Sequence, residues 1–191
     1  LEIAAVDALA RGDVLVVDAA DDQSCAFWGE LLTTACLAKG ARGVVMTACT
    51  RDMWKIRDLN FPVYGLGWHP GDSKGRLDVL TVGEPISIGG VRARRGDWLL
   101  GDEDGVVIIP QEVAAEAIRL AQEKVSGENL VRAALAGPDP DRVLDGVYEN
   151  LSVPDVACAS GRDDGSNHFL TSGVLNEEEM MARITSSRRA S

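Results

Sequence analysis

VLVV at residues 14–17 and GVVMT at residues 43–47 are continuous apolar runs, typical of strands that are buried on both faces. The segment between them, residues 26–39, has apolar side chains at helical spacing, and Gly40 follows it as a natural helix stop. A strand, a helix and a second strand with short connections indicate parallel pairing through a right-handed crossover. The sequence therefore predicts an α/β fold in which these two strands are neighbours.

The rest of the chain continues the alternation of helices and strands. We expect residues 1–150 to form one domain and residues 151–191 to form a C-terminal extension, partly mobile or used in subunit contacts. The segment NEEEMMARI at residues 176–184 has the pattern of an amphipathic helix capped by Asn176. The other expected elements are a polar loop at 18–24, a helix at 52–59, a strand at 61–66, a turn-rich loop at 69–76, short strands between 77 and 109, and a helix from 111 to about 136.

The composition, with 46% hydrophobic and 26% charged residues, is that of an ordinary globular chain. Acidic residues outnumber basic ones by 30 to 19, which gives a net charge of −11 and argues against a nucleic-acid or anionic-membrane surface. No apolar run approaches the roughly 20 residues that a membrane-spanning helix needs. The chain begins at Leu1 without the pattern of a signal peptide, and its four cysteines form no C-x-x-C pair. We therefore expect a cytoplasmic protein with reduced thiols.

Polar residues follow both predicted strands at the point where each strand ends. Glu30 stands at the start of the predicted helix, and Arg51 and Asp52 come directly after the second strand. Because neighbouring parallel strands end at the same edge of a sheet, two carboxylates should lie close to one guanidinium there. The same residues also fit a plain helix cap with a surface ion pair, and that alternative stays open at this point.

This trio has the chemistry of a site for a small 2-oxo acid. Two carboxylates with room for water suit a hard divalent cation such as Mg²⁺. A guanidinium presents a planar fork to a carboxylate, and the start of a helix offers free backbone N–H groups to an anion. Polarising the oxo group would stabilise an enolate, which is the need of a retro-aldol cleavage or a β-decarboxylation.

Five runs carry a resemblance to a known family: GDVLVVDA at 12–19, WGELL at 28–32, GVVMTACTRD at 43–52, FPVYGLG at 61–67 and GDWLLGDEDGVVIIP at 96–110. In this order they resemble the RraA-like family. That family includes the class II pyruvate aldolases acting on 4-hydroxy-4-methyl-2-oxoglutarate and 4-carboxy-4-hydroxy-2-oxoadipate, and the regulator of ribonuclease E activity. The resemblance implies an α/β, three-layer swivelling β/β/α-type domain. It also implies that the N-terminal part of the family domain is absent before Leu1.

The resemblance further implies roles for the residues of the site. Asp52 would be the direct ligand of Mg²⁺ or Mn²⁺, and Glu30 would hold metal-bound waters. Arg51 would bind the oxo acid and steady the enolate. The substrate carboxylate would be received by the backbone at the start of the helix, at Gly29, Leu31 and Leu32.

The implied reaction cleaves a 4-hydroxy-2-oxo acid to pyruvate and a second carbonyl compound, with decarboxylation of oxaloacetate as a further activity. A non-catalytic regulatory or binding protein is the alternative. The regulator type has Gly at the position of Glu30, so this residue favours the enzyme.

Three features of the chain add detail to this interpretation. The resemblance implies a homotrimer or hexamer in which a Glu of the C-terminal helix reaches a neighbour's site, with Glu128 as the nearest match and Glu123 as the second. Many relatives carry an acid where this chain has Lys55. The loop HPGDSKGR at 69–76 reads either as a lid whose Lys74 or Arg76 contacts a distal carboxylate or as a solvated turn, and loop base rates favour the turn.

Overall fold

A computed structural model describes residues 2–137 and 181–189. These residues fall into two compact units, 2–110 with 181–189, and 111–137. The elements of the first unit are α1 (Glu2–Asp7), β1 (Asp13–Trp28), α2 (Glu30–Lys39), β2 (Gly43–Thr50), α3 (Met53–Asp58), β3 (Val63–Tyr64), β4 (Gly67–Trp68), β5 (Val79–Val82), β6 (Ile86–Ile88), β7 (Val91–Ala93), β8 (Trp98–Gly101), β9 (Val106–Ile109) and β10 (Met181–Arg189). The second unit contains α4 (Ala114–Leu135).

The main sheet has the strand order β3-β2-β1-β10-β8-β9. β1 pairs in parallel with β2, and β2 with β3, which confirms the predicted parallel neighbours. β10 pairs in parallel with β1 and antiparallel with β8. β6 and β7 form a separate hairpin. The two runs that predicted the fold therefore lie side by side within this sheet.

β1 is apolar on both sides because both faces of the sheet are covered. Leu15 and Val17 lie in one apolar cluster together with residues of α1 and α2. Val14 and Val16 lie in the other cluster, together with residues of β6 to β9. Alternating side chains of one strand thus enter two cores, which is why the sequence shows a continuous apolar run instead of an alternating one.

The predicted polar loop at residues 18–24 is wrong, because β1 runs through it without interruption. The strand accommodates these extra residues because its pairing register with β2 shifts between Val17 and Trp28. Ala20 and Asp21 adopt positive φ values of 50° and 58°, as bulged strands allow. α2 accordingly begins at Glu30 and not at residue 26, since residues 26–28 still pair with β2.

The predicted helix at residues 176–184 is also wrong where it can be compared. Residues 181–184 belong to β10, while residues 176–180 lie outside the described residues. Residues 181–183 pair with β8 and residues 183–184 pair with β1, and this tertiary pairing overrides a weak local pattern. The predicted domain boundary at residue 150 also lies outside the described residues.

None of the helices in the described part of the chain is long and apolar enough to span a membrane.

A buried hydrogen bond joins the end of β1 to α2. The indole N–H of Trp28 donates to the Thr33 hydroxyl oxygen at 2.9 Å, and both residues are almost fully buried. The Thr33 hydroxyl in turn donates to the Gly29 carbonyl at 3.1 Å. The Thr33 hydroxyl both accepts and donates a hydrogen bond, and it therefore helps to hold α2 in position against β1.

Replacing Thr33 by Val should destabilise the protein without changing its volume. The substitution leaves a buried indole N–H without an acceptor, which costs about 1–3 kcal/mol of unfolding free energy. Urea denaturation measures this difference. The matched control is Thr81→Val on the exposed side of β5, where a change of less than about 0.5 kcal/mol is expected. Equal unfolding free energies for the two variants would contradict this role of Thr33.

Candidate active site

The ends of β1 and β2 are held together by backbone hydrogen bonding. The Arg51 N–H donates to the Trp28 carbonyl at 3.0 Å, and the Thr50 hydroxyl donates to the same oxygen at 3.3 Å. These bonds place the start of α2 beside the turn that leads into α3. Glu30, Arg51 and Asp52, which the sequence singled out, are therefore neighbours in the structure.

Asp52 adopts the left-handed backbone conformation, with φ 59° and ψ 29°, at the start of α3. Asp is one of the few residues that tolerate this region. Its side chain makes no capping bond to α3 and instead reaches across to α2, where Oδ2 accepts the Glu30 N–H at 3.3 Å. The other carboxylate oxygen, Oδ1, has no hydrogen-bond partner within the described residues. Asp52 thus retains a free oxygen for a ligand.

Gly29 gives Asp52 and Arg51 the room to approach α2. Its backbone is extended, with φ −165°, so no backbone strain requires glycine at this position. A Cβ atom there would lie 3.0 Å from Asp52 Oδ2 and 3.1 Å from Arg51 Nε. Glycine fits this position because an added Cβ would lie closer to the side chains of Asp52 and Arg51 than ordinary van der Waals contact allows.

Two carboxylates hold the guanidinium of Arg51. Nε lies 3.6 Å from Asp52 Oδ2, and an Nη atom lies 3.3 Å from Asp72 Oδ2. The Asp72 loop is fastened to the sheet, because the Ala26 N–H donates to the Gly71 carbonyl at 2.8 Å and Ala26 bridges to Asp72. These contacts fix the direction of the guanidinium.

The sequence interpretation missed Asp72 as a member of this site. It lies in the loop HPGDSKGR, which was expected to be a solvated turn. The available signal was its place shortly after the strand predicted at 61–66, a third strand that ends at the same edge of the sheet. The loop contacts Arg51 through Asp72, while Arg76 donates to the Asp72 carbonyl and not to the cleft.

The surroundings of Asp72 lower its pKa. The largest cause is the hydrogen bond from the Lys74 backbone N–H, at 2.9 Å, and the second is the hydrogen bond from Arg51. Both favour the ionised form. The carboxylate is therefore charged across the whole neutral range, and its contacts weaken only when acid protonates it.

Glu30 is bound to its own helix and to α3. Its Oε1 accepts the Thr34 hydroxyl at 3.0 Å, and its Oε2 lies 3.9 Å from the ammonium of Lys55. The same ammonium lies 5.5 Å from the centre of the Trp54 ring. Lys55, where the family resemblance implied an acid, is thus an ion-pair partner of Glu30.

The start of α2 offers free hydrogen-bond donors. Gly29 caps the helix without a side chain, and the first helical bond runs from the Thr33 N–H to the Gly29 carbonyl. The Glu30 N–H is taken by Asp52, whereas those of Leu31 and Leu32 have no acceptor among the described residues. Two N–H groups at a helix N-terminus form a small receptor for an anion.

Two clefts meet at Arg51 and Asp52, which line both. The first cleft measures about 690 Å³ and runs from the start of α2 to the loop after β4. The second cleft measures about 620 Å³ and lies on the side of α3. The first is lined by Ile3, Phe27, Gly29, Leu31, Leu32, Ala35, Asp72, Ser73, Lys74, Gly75, Leu77, Asp78 and Val79, and the second by Thr50, Met53, Trp54, Arg57, Trp68, His69 and Pro70.

The donor set fits a metal ion that keeps most of its water. The described residues contain no group of three or more His, Cys, Asp or Glu side chains placed to hold a metal ion. Asp52 offers one free carboxylate oxygen, and Glu30 is neutralised by Lys55. Mg²⁺ is commonly bound through one or two carboxylates with several waters, so this set suits Mg²⁺ or Mn²⁺ with Glu30 acting through water.

Glu128, expected to reach a neighbour's site, lies on α4 in the second unit. Its carboxylate is 3.8 Å from the ammonium of Lys124, four residues earlier on the same helix. Its role in a neighbouring subunit stays a prediction.

The parallel strands β1 and β2 of a mixed sheet bring Glu30, Arg51 and Asp52 together at their carboxyl ends, and this arrangement is in keeping with the class to which the chain belongs. It is a member of the RraA-like family: the family pattern described as "RraA-like: Aldolase/RraA" matches residues 1–108. The predicted fold is thereby confirmed.

Relatives and solved structures place this membership in context. The chain is 34% identical over 139 residues to the protein DlpA of Legionella pneumophila, covering 67% of this chain and 23% of that one. It is 32% identical over 125 residues to a protein of Halalkalibacterium halodurans named "Putative 4-hydroxy-4-methyl-2-oxoglutarate aldolase", covering 65% and 59%. It also matches the crystal structure of Streptomyces coelicolor RraAS2, described as an unusual member of the RNase ES inhibitor RraA protein family. That match has a TM-score of 0.64 at 30% identity and covers 69% of this chain and 67% of that one. The chain therefore spans less than two thirds of the length of the first two relatives.

Replacing Arg51 by Met should raise the pKa of Asp72. The increase should remain partial, because the Lys74 N–H, the largest cause of the lowered pKa, is unchanged. Carboxyl ¹³C NMR titration measures it. The matched control is Arg76→Met, which removes a contact to the Asp72 carbonyl and should leave the pKa of Asp72 near its wild-type position. An unchanged pKa in Arg51→Met would show that the ion pair does not exist in solution.

Proposed function

We propose that this protein is a divalent-metal-dependent lyase that cleaves a 4-hydroxy-2-oxo acid to pyruvate and a second carbonyl compound. The observation that carries the proposal is the free Oδ1 of Asp52 beside the guanidinium of Arg51 and the free N–H groups at the start of α2. The names of relatives such as the H. halodurans protein support a carbon–carbon lyase. The same chemistry would decarboxylate oxaloacetate, since both reactions pass through the enolate of pyruvate.

The reaction breaks the C3–C4 bond of the substrate. Its electron pair remains on the three-carbon fragment as an enolate, and the 4-hydroxyl loses its proton to become the second carbonyl group. The enolate then takes up a proton at C3 and leaves as pyruvate. When bound, Mg²⁺ or Mn²⁺ would supply Lewis-acid stabilisation of the negative charge on the oxo oxygen.

The chain's own residues bind and orient the substrate in the first cleft. The N–H groups of Leu31 and Leu32 receive the substrate carboxylate at the positive end of α2. Arg51 faces the oxo oxygen, where it offsets the charge that develops, and Asp52 and Asp72 hold its guanidinium in that direction. Asp52 would be the direct metal ligand through Oδ1.

Glu30 would act on water. Its carboxylate is already bound to Thr34 and Lys55, so it is suited to order the waters of the ion and not to replace them. We also propose that the protein works in the cytoplasm as a homotrimer or hexamer with Glu128 of one subunit near the site of another. Analytical ultracentrifugation tests the assembly, and a monomer would contradict it.

Replacing Asp52 by Asn should abolish metal-dependent pyruvate release. Asn keeps the shape and tolerates the left-handed backbone at this position, so the change removes the charge and one of the two acceptor oxygens without disturbing the backbone. The rate with Mg²⁺ or Mn²⁺ should fall about a hundredfold or more, for 4-hydroxy-4-methyl-2-oxoglutarate and for oxaloacetate, as it should for wild type in EDTA. A lactate dehydrogenase coupled assay, corrected for spontaneous decay, measures pyruvate.

The matched control for this experiment is Asp58→Asn, which removes a carboxylate from the last residue of the same helix. It should retain the wild-type rate. If wild type, Asp52→Asn and the metal-free blank agree on both substrates, the lyase proposal is wrong. A non-catalytic binding role of the kind named for the RNase ES inhibitor family would then be favoured.

Replacing Gly29 by Ala should impair activity while leaving the fold intact. The extended backbone accepts Ala, but the new Cβ would press on Asp52 Oδ2 and Arg51 Nε. We expect pyruvate release to fall at least about tenfold with an unfolding free energy within about 1 kcal/mol of wild type. The control is Gly67→Ala, whose Cβ would meet only Cys49 Sγ at 3.7 Å. Full activity of Gly29→Ala would contradict the close packing described for this site.

A further inference from the structure

The second cleft has walls that differ from those of the first. Trp54 and Trp68 line it with Pro70, and both indoles are largely exposed, at 67% and 60%. The first cleft has apolar lining residues such as Phe27 and Leu31, but none of its described lining residues is a tryptophan, and it carries charges of both signs, including Asp72 and Lys74. The exposed indoles of the second cleft therefore offer flat faces that complement a flat apolar group.

A positive charge lies over the indole ring of Trp54. The ammonium of Lys55 lies 5.5 Å from the ring centre and is itself anchored on Glu30. This cation–π contact stabilises one orientation of the ring. An exposed ring with a fixed orientation presents a preformed surface, which lowers the entropic cost of binding a second ring.

The second cleft also offers hydrogen-bond donors. His69 Nδ1 accepts the Gly71 N–H at 3.0 Å, so the neutral ring carries its proton on Nε2. Gly71 allows this arrangement, because a Cβ there would lie 2.9 Å from His69 Cε1. The guanidinium of Arg57 has no ion-pair partner among the described residues. The cleft thus combines aromatic walls with a cation and an N–H donor.

The two clefts share Arg51 and Asp52, where the reacting bond would lie. A substrate whose 2-oxo-acid end occupies the start of α2 then directs its C4 substituent past these residues into the second cleft. We propose that the second cleft binds the departing half of the substrate and selects an aromatic ring at C4. This inference rests on the proposed function for its reaction, and on the indole walls for its specificity.

Binding of uncleavable analogues tests the specificity apart from the chemistry. The compounds 2-oxo-4-phenylbutanoate and 2-oxopentanoate both lack the 4-hydroxyl. The first carries a phenyl ring on C4, and the second carries a methyl group there. Isothermal titration calorimetry with Mg²⁺ should give a dissociation constant about tenfold lower for the phenyl compound. Trp54→Ala and Trp68→Ala should each reduce that ratio severalfold, whereas Trp54→Phe and Trp68→Phe should keep most of it.

The control is Leu80→Ala, which removes an exposed apolar side chain from β5, outside both clefts, and should keep the wild-type ratio. A ratio near one in wild type overturns the inference, as does an unchanged ratio in both alanine variants. Turnover is measured with 4-hydroxy-2-oxo-4-phenylbutanoate, which would give pyruvate and benzaldehyde, against 4-hydroxy-2-oxopentanoate.

Oxaloacetate separates this inference from the proposed function, because it has no C4 substituent that could reach the indoles. Decarboxylation of oxaloacetate by the wild-type protein therefore reports on the proposed function alone. If oxaloacetate and both hydroxy acids are unreactive while the binding ratio holds, the lyase proposal fails and the ring-selective cleft remains. If oxaloacetate reacts and the ratio is near one, the lyase remains and the inference fails.

Discussion

The structure of the site depends on one constraint: the parallel strands β1 and β2 end next to each other, and a hydrogen bond joins their ends. This hydrogen bond runs from the Arg51 N–H to the Trp28 carbonyl. It brings the start of α2 against the start of α3, and Asp52 then bonds the first N–H of α2. Gly29 is the residue that permits this distance. This close approach of the two strand ends brings together the ion pair of Arg51 and Asp52, the two free N–H groups of α2 and the two clefts.

Part of this arrangement was predictable from the sequence. The runs VLVV and GVVMT predicted neighbouring parallel strands, and strand polarity then placed Glu30 beside Arg51 and Asp52. The continuation of β1 was not predictable, because its bulge places positive φ values on Ala20 and Asp21, where no glycine marks them. The membership of Asp72 in the site was not predictable for a related reason. Its contact with Arg51 depends on where the loop is attached to the sheet, at Ala26. The sequence of a loop indicates its turns but not the residues that the loop contacts.

Lys55 changes the electrostatics that the family resemblance implied. An acid at this position would add negative charge near Asp52 and strengthen cation binding. The ammonium instead compensates Glu30 and contacts the ring of Trp54. Lys55 thus connects Glu30, at the start of α2, with a ring that lines the second cleft. In the proposed lyase, this one side chain would influence both the metal-bound waters and the recognition of the substrate.

β10 occupies the position between β1 and β8, although it follows every other element of the first unit in the chain. During synthesis the strands on either side emerge from the ribosome long before their shared neighbour does. Two edges with unpaired N–H and carbonyl groups face each other until residues 181–189 arrive. Such a late, long-range closure slows folding and exposes nascent chains to mispairing. The order of the strands therefore sets an order of folding, because this sheet is complete only after residues 181–189 have been synthesised.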